Sequence, residues 1–480
     1  MAETYEVIVV GGGFAGIEAA TKLGRAGVRT LLVDVHGYHQ FQPLLYQLAT
    51  AQIGVSELAR PLRSIFRRQP SVRVLTARVA AVDPGRRTIT LTDGTVYEAD
   101  DALIVACGAE ANFFDTPGAR ENAYPLYSAT DATRLGSKLV ALLDQADKDT
   151  EPKSMNVAVV GAGPTGVETA GAIADAINYV VPKLFAGDLA KRCSVALVDM
   201  VDRTLGGFSK KSQAYAASRL VERGVRLKLG SAVTEVREDG LSFADGATMD
   251  ADLVIWAGGL KAGPLLRESG MPQGRGGRID VAKDLTVPGY EGVYVLGDAA
   301  NITDDRDERL PQLGSVAKQS GGWAARNILA QRAGRPTEPF GYKDRGYMAM
   351  IGRGSAVAEL GRGRRLVRGP AAFLVWLAVH LALLSGASQK ARALVSWIFA
   401  FLSHSRQHVF VGSPEQADVV ERTDRPVPCP PPLPPPGPGR GGGGGAPGAG
   451  GAPPRPRRCV LGGRPPGAPA AMRRRRGTRA

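Results

Sequence analysis

Residues 5–16 read YEVIVVGGGFAG, an apolar run followed by glycines at positions 11, 13 and 16. The apolar run predicts a buried strand, and residues 17–23 after it predict a helix. In such a strand–turn–helix unit, Gly11 allows the tight turn, Gly13 lets the backbone approach a pyrophosphate, and Gly16 lets helix and strand pack closely. Free N–H groups at the helix N-terminus would hold the phosphates. The stretch therefore predicts a Rossmann-like dinucleotide-binding domain.

A second copy of this pattern lies in the middle of the chain. Residues 156–166 read NVAVVGAGPTG, with the glycines at Gly161, Gly163 and Gly166, and residues 167–177 are compatible with a helix. A single glycine triplet is a weak signal, but both copies have the strand before them and the helix after them that the motif requires. The chain is therefore predicted to hold two dinucleotides at once.

An acidic residue ends the next strand after each motif. Asp34 follows residues 31–33, and Asp199 follows residues 195–198 after a longer predicted helix and loop over residues 178–192. Carboxylates at these positions accept hydrogen bonds from ribose hydroxyls. Asp199 would also repel a 2′-phosphate, which favours NADH over NADPH, although the nearby Arg203 weakens that preference.

A third region distinguishes the two sites. Residues 290–300 read YEGVYVLGDAA, a predicted strand that ends at Gly297 and Asp298. An Asp at such a strand end can bind the ribityl hydroxyls of a flavin whose adenine half lies on the first motif. The first site is therefore assigned to FAD and the second to NADH. A helix that begins near Pro311 would direct the positive end of its dipole at the flavin.

These three motifs together resemble the two-dinucleotide-binding-domain flavoproteins over roughly residues 5–330. Within that superfamily, four segments resemble the type II NADH:quinone oxidoreductases: FQPLLYQLAT at 41–50, GVETAG at 166–171, VIWAGG at 254–259 and GYMAMIG at 346–352. The resemblance implies an α/β fold with two Rossmann-like domains, in which the NADH domain is inserted into a discontinuous FAD domain.

The resemblance also implies an organisation along the chain. The expected segments are 1–115 as the first part of the FAD domain, 116–150 as a connector, 151–270 as the NADH domain, 271–345 as the second part of the FAD domain, 346–415 as a membrane-associating region, and 424–480 as a disordered tail rich in Pro, Gly and Arg. The implied activity is hydride transfer from NADH to FAD, followed by two-electron reduction of a membrane quinone without proton pumping.

Two residues are candidates for a catalytic role. Glu168 matches a family Glu near the nicotinamide and the quinone, but Glu18 has the same position after the first motif, so a structural interaction with the helix dipole stays open. Gln319 is the one glutamine kept in a segment that is rich in Gln in the family, since this chain has Ser315 and Ser320 where the family has Gln. The alternative is that Gln319 is an ordinary helical residue without a catalytic role. The candidate cofactor-binding residues are Gly11, Gly12, Gly13, Phe14, Ala15, Gly16, Asp34, Val79, Gly297, Asp298, Gly161, Gly163, Gly166, Asp199, Gly258 and Gly259.

The four cysteines exclude another branch of the superfamily. They are Cys107, Cys193, Cys429 and Cys459, and none forms the closely spaced pair through which a disulfide reductase passes electrons. Cys107 is expected to pack beside the cofactor. No metal site is predicted, and the lone His380 is interpreted as structural because it has no partner at metal-ligand spacing.

The net charge of +14 comes mostly from the C-terminal end, where 11 arginines and no acidic residue follow Asp424. The rest of the chain is nearly neutral, so specific nucleic-acid binding by the folded part is not expected. The composition of the tail predicts disorder. Electrostatic contact with anionic lipid or RNA is one interpretation of the tail, and a functionless extension is the other.

The N-terminus lacks the basic region of a secretory signal. Membrane contact is instead expected at the apolar runs 371–384 and 393–402, each shorter than the roughly 20 residues that span a bilayer. Basic flanks and tryptophans favour helices that lie in the membrane interface. A buried helical hairpin or a homodimer contact is the alternative. The expected location is the cytoplasmic face of the cell membrane, in peripheral association.

Two further functions stay open from the sequence. One is a related NAD(P)H-dependent flavin reductase with an acceptor other than quinone, and the other is a non-enzymatic flavin redox sensor.

Overall fold

The computed structural model describes residues 3–148, 154–185, 187–361 and 363–403. The predicted tail, 424–480, and the last part of the predicted membrane-associating region lie outside the described residues. The described chain contains two mainly parallel sheets with helices packed against them, as the two glycine motifs predict.

The first sheet has the strand order β20 (Thr286–Val287), β21 (Tyr290–Val295), β8 (Val96–Val105), β1 (Glu3–Val10), β2 (Thr30–Asp34), β5 (Val72–Thr76). The strands β6 (Val79–Asp83) and β7 (Thr88–Leu91) form a hairpin beside β8. Parallel pairing places Val7 opposite Thr30 and Val293 opposite Leu103, so a late strand completes a sheet that begins at the N-terminus. Its elements are β1 Glu3–Val10, α1 Phe14–Arg25, β2 Thr30–Asp34, β3 Tyr38–Gln40, α2 Leu45–Ala49, α3 Val55–Leu58, β4 Ala59–Pro61, α4 Leu62–Phe66, β5 Val72–Thr76, β6 Val79–Asp83, β7 Thr88–Leu91, β8 Val96–Val105 and β9 Glu110–Ala111.

The second sheet lies within the sequence of the first and has the order β10-β17-β11-β12-β13. Its elements are α5 Ala119–Asn122, β10 Ala123–Pro125, α6 Ala129–Lys148, β11 Met155–Val160, α7 Pro164–Tyr179, α8 Val181–Leu184, α9 Leu189–Arg192, β12 Cys193–Val198, α10 Lys210–Glu222, β13 Val225–Lys228, β14 Val233–Arg237, β15 Gly240–Phe243, β16 Thr248–Asp250, β17 Leu253–Trp256, β18 Leu260–Lys261 and α11 Pro264–Arg267.

The segment 116–150, expected as a connector, supplies β10 and α6 to this second domain. Ala123 lies opposite Val254, which places β10 in parallel register at the edge of the sheet. Pairing with β17 satisfies backbone hydrogen-bonding groups that a free connector would leave to water. The actual link between the domains is the two-stranded antiparallel pair of β9 and β18.

The remaining elements return to the first sheet and then leave it. They are β19 Ile279–Asp280, β20 Thr286–Val287, β21 Tyr290–Val295, β22 Ala300–Asn301, α12 Gly314–Arg332, β23 Gly346–Gly352, β24 Ser355–Leu360, β25 Arg365–Gly369, α13 Pro370–Leu383 and α14 Ala387–Ser403. The strands β23, β24 and β25 form an antiparallel sheet that the sequence did not predict. It packs on α7 and carries α13, so it attaches the terminal helices to the second domain.

Contact between α1 and α12 closes the first domain. A Cβ at Gly321 would lie 2.1 Å from the Ala15 carbonyl oxygen, whereas a Cβ at the neighbouring Gly322 would meet side chains alone, Lys22 Nζ at 2.9 Å and Glu18 Cγ at 3.3 Å. Backbone atoms of a packed helix yield far less readily than the end of a flexible side chain. The two helices are therefore in contact through Gly321.

We expect Gly321→Ala to reduce the free energy of unfolding by about 1–3 kcal/mol, because the added methyl group overpacks the helix contact. Gly322→Ala is the matched control and should be neutral or slightly stabilising, since Ala is the better helix former. Urea unfolding of both variants measures the difference. Equal destabilisation by the two substitutions would contradict this account of the contact.

Candidate functional site

The first glycine motif forms the turn between β1 and α1. Gly11 has φ +106, and a Cβ there would lie 2.3 Å from the Ala106 carbonyl oxygen. A Cβ at Gly16 would lie 1.9 Å from the Gly11 carbonyl oxygen, but a Cβ at Gly13 would meet nothing within 4 Å. No side chain caps the start of α1. The loop thus presents an open face and free N–H groups where a pyrophosphate would bind.

The second motif repeats this geometry between β11 and α7. Gly161 has φ +107, and a Cβ there would lie 2.4 Å from the Ala257 carbonyl oxygen. A Cβ at Gly166 would lie 1.7 Å from the Gly161 carbonyl oxygen. The space beside Gly163 is open, and no side chain caps α7. Both loops therefore fit the phosphates of a dinucleotide.

Each strand-end carboxylate is held by its own glycine loop. Asp34 accepts a 2.5 Å hydrogen bond from the Gly12 N–H, and Asp199 accepts one of the same length from the Ala162 N–H. Burial raises the pKa of Asp34, although the N–H groups of Gly12 and His36 act in the opposite direction. Both carboxylates lie beside their loops, where ribose hydroxyls of a bound dinucleotide would reach them.

Asp298 lies in the short turn Gly297–Ala299 that follows β21. Its carboxylate accepts a 3.3 Å hydrogen bond from the Tyr127 hydroxyl, and its backbone carbonyl accepts one of 3.1 Å from the Gln312 amide. Burial raises the pKa of Asp298. The helix α12 begins at Gly314, close to the predicted start, and Gly314 packs against Phe14 of the first loop.

The remaining predicted cofactor residues are Ala15, Val79, Gly258 and Gly259, of which Ala15 and the pair Gly258 and Gly259 border the glycine loops. Ala15 packs between Gly297 and Gly321, and Val79 lies partly buried at the start of β6, opposite Leu91. Gly258 and Gly259 follow β17 and lie next to the second loop, where the Ala257 N–H donates to Val160. Their roles in cofactor binding stay predictions.

Two residues of the first site were missed at the sequence level. The His39 ring lies 5.1 Å from the Phe14 ring in an edge-to-face contact, and its Nδ1–H donates to the Gly12 carbonyl oxygen at 3.2 Å. Burial lowers the pKa of His39 to about 4, so the ring is neutral. Tyr127 joins Asp298 to the loop after β8 by accepting from the Ala109 N–H. Neither residue has a local motif, because both contacts span long sequence separations.

A cavity of about 510 Å³ lies between α7, the α2 segment, the end of β23 and the helix pair α13 and α14. Its wall is mostly apolar, and the polar side chains on it are few. The lining includes Tyr46, Gln47, Gln52, Glu168, Ala172, Asp175, Tyr179, Met350, Arg353, Phe373, Leu377, Leu381, Trp397, Ile398 and Phe401. Its size and wall suit a small apolar ligand with a polar ring.

Glu168 projects from the first turns of α7 into this cavity. Its Oε1 accepts a 3.0 Å hydrogen bond from the Met350 N–H. Loss of hydration raises the pKa of Glu168 to about 8; the Met350 N–H and the indole of Trp376 only partly offset this. The indole N–H of Trp376 is buried near this carboxyl group, but among the described residues it has no partner at full hydrogen-bond geometry. At neutral pH the carboxyl group is therefore mostly protonated.

The equivalent residue of the first motif has different surroundings. Glu18 packs beside Lys22 against Gly322 of α12 and does not line the cavity that Glu168 faces. The helices that carry the two acids are covered differently, because α12 packs on α1 whereas β23 packs on α7. A Cβ at Gly171 would lie 2.1 Å from the Ile351 carbonyl oxygen, which shows how closely β23 approaches.

Gln319 does not line the cavity that Glu168 faces. Its amide donates to the Lys343 carbonyl oxygen at 3.1 Å and accepts from the Lys343 N–H at 3.0 Å, so both of its polar atoms are used by the backbone. Ser315, in the same segment, pairs with the Tyr342 hydroxyl at 3.0 Å. Neither side chain lines the cavity. The geometry supports the structural alternative, in which Gln319 fixes the chain that leads to β23.

Polar contacts attach the helix pair to the first domain. The Trp397 indole N–H donates to Gln47 at 2.8 Å, and Ser396 donates to Glu57 at 3.3 Å. The buried stripes are Ala372, Trp376 and His380 on α13 and Gln389, Ala393 and Trp397 on α14. Within them, the His380 ring stacks on Trp376 with 3.7 Å between centroids, and burial lowers the pKa of His380 to about 4.

The opposite faces of these helices are apolar and exposed. The exposed large apolar residues are Leu374, Leu383, Leu394, Val395, Ile398, Phe399, Phe401 and Leu402. No helix in the described ranges is both long and apolar enough to cross a membrane. A helix that faces water normally exposes polar residues and buries apolar ones. Because α13 and α14 expose apolar residues, this surface is suited to an apolar environment.

Comparison with known proteins agrees with this geometry. The model of the pyridine nucleotide-disulphide oxidoreductase family matches residues 5–321. Among the described residues, Cys107 and Cys193 are free thiols. The structure is similar to that of NDH2 from Plasmodium falciparum in complex with NADH, with a TM-score of 0.76 and 19% identity over 84% of this chain and 99% of that one. It is also similar to the sulfide:quinone oxidoreductase of Aquifex aeolicus, with a TM-score of 0.67.

Relatives that are similar in sequence define a narrower family within these oxidoreductases. The type II NADH:quinone oxidoreductase Ndh of Mycobacterium tuberculosis is 36% identical over 419 residues, which cover 84% of this chain and 89% of the relative. That of Staphylococcus saprophyticus is 27% identical and covers 77% of this chain and 92% of its own length. The chain belongs to the type II NADH:quinone oxidoreductase family, and the family predicted from the motifs is confirmed.

The pKa of Glu168 makes stability depend on pH. Between its ordinary pKa of 4.5 and about 8, the folded protein keeps a proton that the unfolded chain has released. The free energy of unfolding therefore falls as pH rises through this window, by at most about 1.4 kcal/mol per pH unit. We expect Glu168→Gln to remove the decline, with little effect at pH 5 and higher relative stability at pH 9. Urea unfolding at both pH values measures it, and identical pH profiles would contradict the assigned pKa.

Proposed function

We propose that this protein oxidises NADH and reduces a membrane quinone, with FAD as its bound cofactor. The observation that carries the proposal is the apolar cavity lined by the protonated Glu168. The same chain also forms two loops that fit dinucleotides. The first loop, with Asp34 and Asp298, suits FAD, and the second, with Asp199, suits NADH. When bound, FAD supplies hydride acceptance from NADH and two-electron transfer to the quinone.

The loops position the two dinucleotides. Their open faces at Gly13 and Gly163 would be filled by pyrophosphates, and the uncapped helix N-termini stabilise the negative charge. Asp199 keeps a carboxylate where the 2′-phosphate of NADPH would lie, which favours NADH. Arg203 pairs with Asp202 at 2.7 Å, so its charge is partly neutralised beside this position.

Glu168 would supply a proton to the quinone. Reduction of a quinone by one hydride equivalent takes up one further proton, and a carboxyl group with a pKa of about 8 holds that proton at neutral pH. The Met350 N–H fixes Oε1, which leaves the other carboxyl oxygen to carry the proton towards the cavity. Gln319, the other candidate catalytic residue, has its side-chain amide hydrogen-bonded to the Lys343 backbone, so the proposal assigns the proton to Glu168.

The cavity opens between helices whose outer faces are apolar. We propose that residues 371–402 lie in the membrane interface, on the cytoplasmic face, and admit quinone from the bilayer to Glu168. Arg353 lies at this end of the cavity, where its guanidinium donates to the Phe401 carbonyl and lies 4.5 Å from the Phe401 ring centroid. Arg368 and Arg392 are exposed near the same helices, where cations favour anionic headgroups.

Steady-state assays with purified protein test this function. We expect NADH oxidation with menaquinone or ubiquinone analogues to exceed that with soluble acceptors and with NADPH. Glu168→Gln should lower quinone turnover by about 10²-fold, because it removes the proton donor, while FAD content and flavin bleaching by NADH stay the same.

Glu18→Gln is the matched control, since Glu18 has the same place after its motif but packs on α12. It should keep wild-type turnover. Unchanged quinone turnover in Glu168→Gln would remove Glu168 from the mechanism, and absence of NADH oxidation by the wild type would reject the function.

Membrane association has its own test. Val395 and Phe399 are exposed on one face of α14 and do not line the cavity. We expect Val395→Ser/Phe399→Ser to lower co-flotation with anionic lipid vesicles by about tenfold, because burial of this face in the interface drives binding. The control is Val221→Ser, on the exposed side of α10. Equal flotation of all three proteins would argue against an interfacial α14.

A further inference from the structure

Two consecutive residues near the link between the domains have left-handed backbone conformations. Phe114 has φ 51 and Asp115 has φ 54. Residues with a Cβ seldom adopt this conformation, and a bulky aromatic residue does so only when its surroundings enforce it. The Phe114 side chain is 60% exposed, while the neighbouring Phe113 is buried. The chain thus keeps an aromatic ring at the surface in a strained loop.

Asn112 enforces this conformation through three hydrogen bonds. Its side-chain oxygen accepts from the Phe114 N–H at 2.9 Å, and its own N–H donates to the Gly259 carbonyl oxygen at 2.9 Å. Its carbonyl oxygen accepts from the Trp256 indole N–H at 2.7 Å. The loop is therefore attached to the carboxyl end of β17.

The ring lies against the backbone of Gly259. This glycine has φ +146, and a Cβ on it would lie 3.1 Å from the Cζ atom of Phe114. The same strand end borders the second glycine loop, because a Cβ at Gly161 would lie 2.9 Å from the Gly258 Cα. Phe114 therefore stands at the rim of the second dinucleotide site.

The position along the rim distinguishes the two halves of the dinucleotide. Asp199, at the end of β12, marks the adenosine side. Phe114 follows β9, which pairs with β18 to link the two domains, so it marks the side that faces the first domain. A hydride donor must extend its nicotinamide half towards that side to reach the other cofactor.

We propose that Phe114 is a binding residue for the nicotinamide half of NADH, held ready by Asn112 and Gly259. This inference rests on the proposed NADH oxidation. Contact with the ring shields that half from water and restricts its position, and a preformed contact avoids the ordering of a loop on binding.

Titration calorimetry of the purified, FAD-loaded full chain tests it with two ligands. NAD⁺ carries both halves, whereas ADP-ribose lacks the nicotinamide ring. We expect Phe114→Ala to weaken NAD⁺ binding by about tenfold and ADP-ribose binding by less than about twofold. KM for NADH should rise similarly, with FAD content and KM for quinone unchanged, and Phe114→Tyr should restore wild-type binding.

The matched control is Val221→Ala, which truncates an apolar residue of similar exposure on α10. It should leave both affinities unchanged. Wild-type NAD⁺ affinity in Phe114→Ala, or equal weakening of both ligands, would overturn the proposal. Failure of the proposed function is seen separately, as absence of NADH oxidation by the wild type.

Discussion

The close approach of backbone to backbone within each glycine loop is the constraint on which this structure depends. At Gly16 and Gly166, in the first turn of their helices, a methyl group would lie 1.9 Å and 1.7 Å from the carbonyl oxygen of the first glycine of the same motif. Only glycine permits this turn. This geometry places each helix N-terminus over the end of its strand. It also brings the Gly12 and Ala162 N–H groups to Asp34 and Asp199 and leaves an open face for a pyrophosphate.

The same scaffold is used differently in its two copies. In the first domain, α12 covers α1, and the acid of the first turn packs beside a lysine. In the second, β23 covers α7, and the equivalent acid faces a cavity that α13 and α14 also line. What separates a structural glutamate from a candidate proton donor is therefore the neighbouring element rather than the motif itself. Burial without a cationic partner then raises the pKa of Glu168 to about 8.

Local patterns predicted the strands, the loops and the acids at strand ends, because each depends on residues close together in sequence. The α/β class with two Rossmann-like sheets and the family follow from these patterns and are confirmed. Contacts between distant segments were not predictable in this way. Tyr127 meets Asp298, Gln319 is occupied by Lys343, and the cavity wall combines four separate stretches of chain. The segment 116–150 was expected as a connector from the resemblance, and the pairing of its three-residue strand β10 with the distant β17 leaves no periodic signal in the sequence.

The insertion of one sheet within the sequence of another also sets an order of assembly during synthesis. The second sheet has all its strands once β17 has left the ribosome, whereas the first must wait for β21 and for α12, which ends at Arg332. The domain that starts the chain is thus completed after the domain that interrupts it. Until then, the apolar edge of β8 and the face of α1 stay uncovered, and such surfaces make a nascent chain prone to aggregate.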